Sequence, residues 1–141
     1  MIPFSPPYID EDVINEVLDS LNSGWITTGP KVKALEKEVA KLTCVENVLC
    51  VNSATSAIML MLHWYGIGPD DEVIIPAYTY CATALAVMHL GATPVMADCD
   101  EDFCIDVSKM KELINEKTKA VIPVDIAGFP CDYDKINKII S

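Results

Sequence analysis

Residues 48–62 restrict the fold of this chain more than any other stretch. Val48-Leu49-Cys50-Val51 is short, apolar and rich in β-branched residues, the pattern of a buried strand. Ala57-Ile58-Met59-Leu60-Met61-Leu62 is apolar on every side and built of strong helix formers, which predicts a buried helix. Only Asn52-Ser53-Ala54-Thr55-Ser56 separates the two. A strand that turns so abruptly into a helix leaves several backbone N–H groups unpaired and pointing the same way. The aligned peptide dipoles add partial positive charge at that point. Such a turn suits a phosphate, with the Ser and Thr hydroxyls as added donors. The same residues also suit a plain helix N-cap, and the stretch alone leaves both readings open.

The rest of the chain repeats the alternation. After the prolines at 3, 6 and 7, Asp10 caps a helix with Val13, Val17, Leu18 and Leu21 on one face, stopped by Asn22-Ser23-Gly24. Gly24 to Pro30 is a loop bounded by glycines and carrying Trp25. Lys31 to Leu42 is a second amphipathic helix, with Val32, Leu35, Val39 and Leu42 at spacings of three and four. Beyond the helix that begins at Ala57, Gly68-Pro69-Asp70-Asp71 is a turn. Glu72–Pro76 is a buried strand, and Ala77-Tyr78-Thr79-Tyr80 leads into an apolar helix over 82–90. Thr93–Ala97 is a third strand, and Phe103-Cys104-Ile105 reads as a short extra one. Asp106 caps a helix over 107–114, Ala120–Val124 is a fourth strand, and Asp132 caps a last helix over 133–140. Strands alternating with helices predict an α/β fold, a three-layer sandwich around a largely parallel sheet with right-handed crossovers. Ligands gather at the carboxyl ends of the strands in such sheets, where the turns 52–56 and 77–80 are expected. The pattern ends inside a helix, so the fold is expected to be incomplete at residue 141.

Composition narrows the function. The net charge of −11 and the pI of 4.4 disfavour a nucleic-acid surface, which needs a basic patch. Six cysteines, at 44, 50, 81, 99, 104 and 131, form no C-x-x-C pair, and several lie in apolar runs like reduced core thiols. That favours the cytosol. The first residues lack a basic segment, so no signal peptide is expected, and residues 81–97 are too broken by His89, Gly91 and Pro94 to span a membrane.

Other short motifs carry little. Gly66-x-Gly68 precedes a strand, whereas a dinucleotide fingerprint follows one. Asp98-x-Asp100-x-Asp102 lacks the glycine and the twelfth-position Glu of a calcium loop, so it reads as a solvated acidic turn and no metal site is expected. His63 and His89 have no ligand spacing to a Cys or carboxylate. Tyr78 and Tyr80 are either packing residues at a strand end or a flat surface for a planar ligand.

Taken together, six ordered motifs resemble one family. They are Gly24-Trp25-Ile26-Thr27-Thr28-Gly29-Pro30, Val51-Asn52-Ser53-Ala54-Thr55-Ser56-Ala57, Gly68-Pro69-Asp70-Asp71-Glu72-Val73-Ile74, Pro76-Ala77-Tyr78-Thr79-Tyr80, Gly91-Ala92-Thr93-Pro94-Val95 and Ala120-Val121-Ile122-Pro123-Val124. The chain is similar, from about residue 2 to its end, to the N-terminal part of DegT-family sugar aminotransferases, which have the aspartate aminotransferase fold (fold type I) and use pyridoxal 5'-phosphate (PLP). The resemblance implies that Ala54, Thr55 and Ser56 hold the PLP phosphate and that Tyr80 covers the pyridine ring. It implies that Trp25 and Thr27 lie on the substrate side. Residues 1–30 then form an N-terminal helix and substrate-side loop, and 31–141 an incomplete PLP-binding large domain. The implied partners are a nucleotide-linked keto-sugar and an amino-acid donor, and the implied assembly is a cytoplasmic homodimer. Asp125 stands where relatives often carry His. No lysine here matches the one that binds PLP covalently, so no catalytic residue is assigned within the chain; the lysine is expected downstream of Ser141, together with the aspartate that pairs with the pyridinium nitrogen. A sugar dehydratase on the same fold, with His in place of that lysine, is one alternative. A short non-catalytic binding module is another.

Overall fold

The computed structural model describes residues 5–141, in two compact units that divide between Cys50 and Val51. The first unit holds α1 (Glu11–Asn22) and α2 (Pro30–Thr43). Asp10 caps α1 by accepting from the Val13 N–H at 3.0 Å, as its place before the apolar stripe predicts. Pro30 opens α2, where its missing N–H costs nothing, and Cys44 closes it in a left-handed conformation. The stripe of α1 stays exposed at Val13, Val17, Leu18 and Leu21.

The second unit runs α3 (Ala54–Trp64), β1 (Glu72–Pro76), α4 (Cys81–His89), β2 (Thr93–Ala97), α5 (Val107–Leu113), β3 (Thr118–Val121) and α6 (Tyr133–Ile140), with a single 3-10 turn before α6. The three strands are parallel in the order β2-β1-β3. Central β1 alternates its side chains between two cores. Val73 and Ile75 face Leu62, Ile67, Val87 and Ala92, the layer of α3 and α4. Ile74 faces Ala97, Ile105, Met110 and Ile136, the layer of α5 and α6. The unit is therefore the three-layer α/β sandwich the alternation predicts. Burying each isoleucine of β1 contributes roughly 1.5–3 kcal/mol.

The layers also explain the strand order. From β1 the chain moves to β2 through α4 on one face, then back past β1 to β3 through α5 on the opposite face. Reversing direction and face together keeps both crossovers right-handed. The order reverses at β1, so the crevice outside the carboxyl ends of β1 and β3 is a topological switch point.

Three local expectations are corrected. Val48–Val51 is not a strand; a strand exists by its ladder, and none of the three sheet strands pairs with it. The helix expected to be buried on all sides buries only Leu62, while Leu60, Met61 and Trp64 are exposed, because the sheet covers one face of α3 and nothing among the described residues covers the other. The strand expected at Ala120–Val124 is Thr118–Val121, its pairing with β1 shifting by a bulge at Glu72/Val73. The Phe103–Ile105 segment forms one antiparallel bridge, Cys99 to Ile105, behind a left-handed Phe103.

Candidate functional site

The turn before α3 is built by its own side chains. Ser53 is extended, and its Oγ accepts from the Ser56 N–H at 3.1 Å. The Ser53 carbonyl takes the Ala57 N–H at 3.1 Å. The Ser56 hydroxyl donates to Asn52 Oδ1 at 2.7 Å and lies 2.9 Å from Ser53 Oγ. Ser56 is thus committed to the turn itself. Among the described residues, the Ala54 N–H, the Thr55 N–H and the Thr55 hydroxyl have no partner. Thr55 is half-buried. Two free N–H groups and one hydroxyl at a helix N-terminus match a phosphate ester, which only accepts. The chain has no arginine, so no bidentate clamp is available within it and these donors are neutral.

Packing tells where that turn lies. The end of α3 is fixed by Leu62 and Ile67 against Val73 and Ala92, at the amino edge of the sheet. Its eleven residues rise about 16 Å, close to the length of a five-residue strand. A helix that packs along β1 and ends beside its first residues begins beside its last. The turn at Asn52–Ser56 therefore opens at the carboxyl edge, where Ala77–Tyr80 follows β1. There the Ala77 N–H binds the Ala97 carbonyl at 2.7 Å, and the Thr79 and Thr83 hydroxyls meet at 2.8 Å.

The two tyrosines of this loop separate in role. Tyr78 packs on Phe103, with ring centroids 5.2 Å apart and planes tilted by 46°. Tyr80, at the N-cap of α4, makes no side-chain bond and is 79% exposed. Of the two, Tyr78 is the one packed on another ring, and Tyr80 has no ring partner among the described residues.

Asp125 follows β3 across the switch point. It accepts from the Cys131 N–H at 2.9 Å and the Tyr133 hydroxyl at 3.0 Å. Those two bonds hold its carboxyl below the usual aspartate range. Burial, then the bond to Asp125, pushes the Tyr133 phenol up to about 12. A phenol raised in the folded state stabilises the fold fully below its ordinary value near 10 and loses that contribution as pH rises through about 12. Ultraviolet titration should therefore show one tyrosine ionising last, and Tyr133→Phe should remove that component; an unchanged curve would refute the bond.

Trp25 and Thr27 lie in the first unit. The Trp25 indole N–H donates to the Thr28 carbonyl at 3.0 Å, and its backbone N–H to Ser23 Oγ at 3.1 Å. Both residues line a groove of about 340 Å³.

Other features resolve as structural. Asp100 Oδ1 accepts from the Asp102 and Cys104 backbone N–H groups, so the acidic turn spends a carboxylate on itself. No group of three metal-ligating side chains occurs among the described residues. His89 Nδ1 lies 2.7 Å from the Leu85 carbonyl. All six cysteines are unpaired; Cys131 is buried, and burial, then Cys104, pushes its thiol up to about 12. No helix is long and apolar enough to cross a membrane among the described residues. Asn52 and Ser53 are the residues missed by sequence reasoning; the spacing Asn-Ser-x-x-Ser was the available signal, since a cap serine three positions ahead of another hydroxyl can hold it.

The sequence profile of the DegT/DnrJ/EryC1/StrS aminotransferase family matches residues 7–141. The chain is 45% identical over 136 residues to the spore coat polysaccharide biosynthesis protein SpsC of Bacillus subtilis, covering 96% of this chain and 35% of that protein. It is 44% identical to the UDP-4-amino-4-deoxy-L-arabinose–oxoglutarate aminotransferase of Shewanella sediminis, with the same coverage. The PLP form of Spr1654 from Streptococcus pneumoniae, assigned as a sugar aminotransferase, superposes with a TM-score of 0.92 at 50% identity over 98% of this chain and 36% of that one. The chain thus spans about a third of the curated relatives it matches.

Proposed function

Since the chain belongs to the DegT/DnrJ/EryC1/StrS aminotransferase family, we propose that its parent enzyme is a PLP-dependent aminotransferase. It moves an amino group from an amino acid such as glutamate to a keto-sugar carried on a nucleotide. The observation that carries this reading is the unpaired donor set of Ala54 and Thr55 at the carboxyl edge of the sheet, the edge on which the exposed Tyr80 also follows β1. The sugar-linked names of the relatives support the substrate class, and the UDP in one of them supports the nucleotide.

When bound, PLP supplies the electron sink through which an amino group changes owner. This chain's residues bind and orient it. The Ala54 and Thr55 N–H groups and the Thr55 hydroxyl hold the phosphate at the start of α3, where the helix dipole adds about 0.3–2 kcal/mol. Ser56 and Asn52 keep that turn in shape. Tyr80 covers the ring and excludes water from one face. Trp25 and Thr27 face the sugar. On the same reading residues 1–30 form the substrate-side helix and loop, residues 31–141 form part of the cofactor domain, and the lysine that carries PLP lies in the remainder of the parent. The parent is a homodimer, supported by the uncovered apolar stripe of α1 and the exposed Trp25. It works in the cytosol, where six unpaired thiols stay reduced.

The test is mass spectrometry of the parent enzyme's products with PLP, glutamate and a panel of nucleotide-linked keto-sugars. An amino-sugar together with 2-oxoglutarate is the expected result. Loss of water from the sugar without a gained amino group would replace the reading with a dehydratase, and no product from any keto-sugar would overturn it.

A further inference from the structure

We propose that Gly29 is a positioning residue that sets the angle of the Trp25 indole toward the pyranose ring of the substrate, a proposal that rests on the sugar-side reading of Trp25. Gly29 stands at the N-cap of α2 with φ −165°, outside the left-handed region that favours glycine, so its φ does not explain a glycine there. Space does. A Cβ at Gly29 would lie 2.1 Å from Trp25 Nε1, 2.5 Å from Cδ1 and 2.8 Å from Cε2, well inside contact distance. The indole therefore lies directly across the Gly29 Cα.

That close approach aims the indole N–H at the Thr28 carbonyl, 3.0 Å away. One edge of the ring is anchored in this way, and Trp25 as a whole remains 58% exposed. Pro30 follows at once with its fixed φ, so the platform beneath the ring does not swing. The ring borders the groove shared with Ser20, Ser23 and Thr27 and with the Lys31–Asp19 pair at 2.8 Å. A fixed aromatic face beside hydroxyls and charged side chains suits a sugar, whose C–H face packs on the ring while its hydroxyls bond the rim. Any side chain at position 29 lifts the indole off the Thr28 carbonyl and turns that face away.

The test compares Gly29→Ala with the unchanged 141-residue chain, each carrying Trp64→Phe so that a single indole N–H is observed. In Gly29→Ala the Trp25 Nε1–H resonance should move and its solvent exchange should rise up to about tenfold, the loss of one hydrogen bond. An unchanged resonance and exchange rate would overturn the proposal. In the parent enzyme the same substitution should raise KM for the sugar on the order of tenfold and affect kcat less. A displaced indole with an unaltered KM overturns the sugar-side reading while the Gly29–Trp25 contact stands. Should Gly29→Ala lower the folded population, adding Trp25→Ala removes the clash and should restore it; failure to restore it would overturn the contact.

Discussion

Thr55→Val in the parent enzyme should weaken PLP binding by about ten- to a hundredfold. The Thr55 hydroxyl is the one hydroxyl of the turn without a partner among the described residues. A hydrogen bond to a charged phosphate is worth about 1.5–3 kcal/mol, and every 1.4 kcal/mol is tenfold in affinity. Valine keeps the volume and the β-branch and removes only the hydroxyl. Ser56→Ala acts differently. Its hydroxyl already donates to Asn52 and abuts Ser53, so its loss loosens the turn and lowers stability by about 0.5–1.5 kcal/mol. Tyr80→Ala removes a stacking contribution of about 0.5–1.5 kcal/mol beyond burial, so its effect on affinity should be smaller than that of Thr55→Val. Equilibrium titration of the apo-enzyme with PLP measures all three. Wild-type affinity in Thr55→Val, with a large loss in Ser56→Ala, would assign the phosphate to the other hydroxyl.

Treatment of the 141-residue chain with PLP and borohydride should label no single lysine, whereas the parent enzyme should take up one equivalent at one site. An amine that binds PLP covalently must be available as the free base, which burial or a neighbouring cation provides. Five of the ten lysines here are held instead by carboxylate or carbonyl partners. Lys31 is held by Asp19 and Glu16 and Lys135 by Asp132, which raises both above the usual lysine value. Lys41 and Lys109 pair with Glu38 and Glu112, and Lys119 donates to the Glu116 carbonyl. Peptide mapping after reduction reads the outcome. Label spread thinly over surface lysines is expected; one dominant modified lysine in this chain would place the covalent site here.

The two predictions differ in how far each was legible beforehand. The expectation that no lysine here binds the cofactor covalently rests on motif order alone. The turn before α3 was legible as a run of small polar residues ahead of a helix, because helix N-termini leave unpaired N–H groups whatever follows. Which hydroxyl remains free was not legible. Thr55 and Ser56 are adjacent and chemically alike, and their roles part only because the helix turns by about 100° between them, bringing Ser56 back over Asn52 and Ser53. That Tyr78 packs on a second ring was likewise not legible, since Phe103 is distant in sequence and reaches it through a left-handed turn.

By itself, the sequence determined the elements whose signals are local. Asp10, Asp106 and Asp132 start their helices where aspartates capable of capping stand ahead of apolar stripes. The strands Glu72–Pro76 and Thr93–Ala97 lie where short apolar runs stand between turn residues. Tertiary structure decided what depends on a partner. Val48–Val51 has strand composition and no ladder, since strand hydrogen bonds must come from another segment. The apolar helix of the cradle stays half exposed, since burial is a property of what packs on a face and not of the residues that form it. The space over Gly29 is likewise a fact of the folded loop, in which an indole four residues back lies against the Cα.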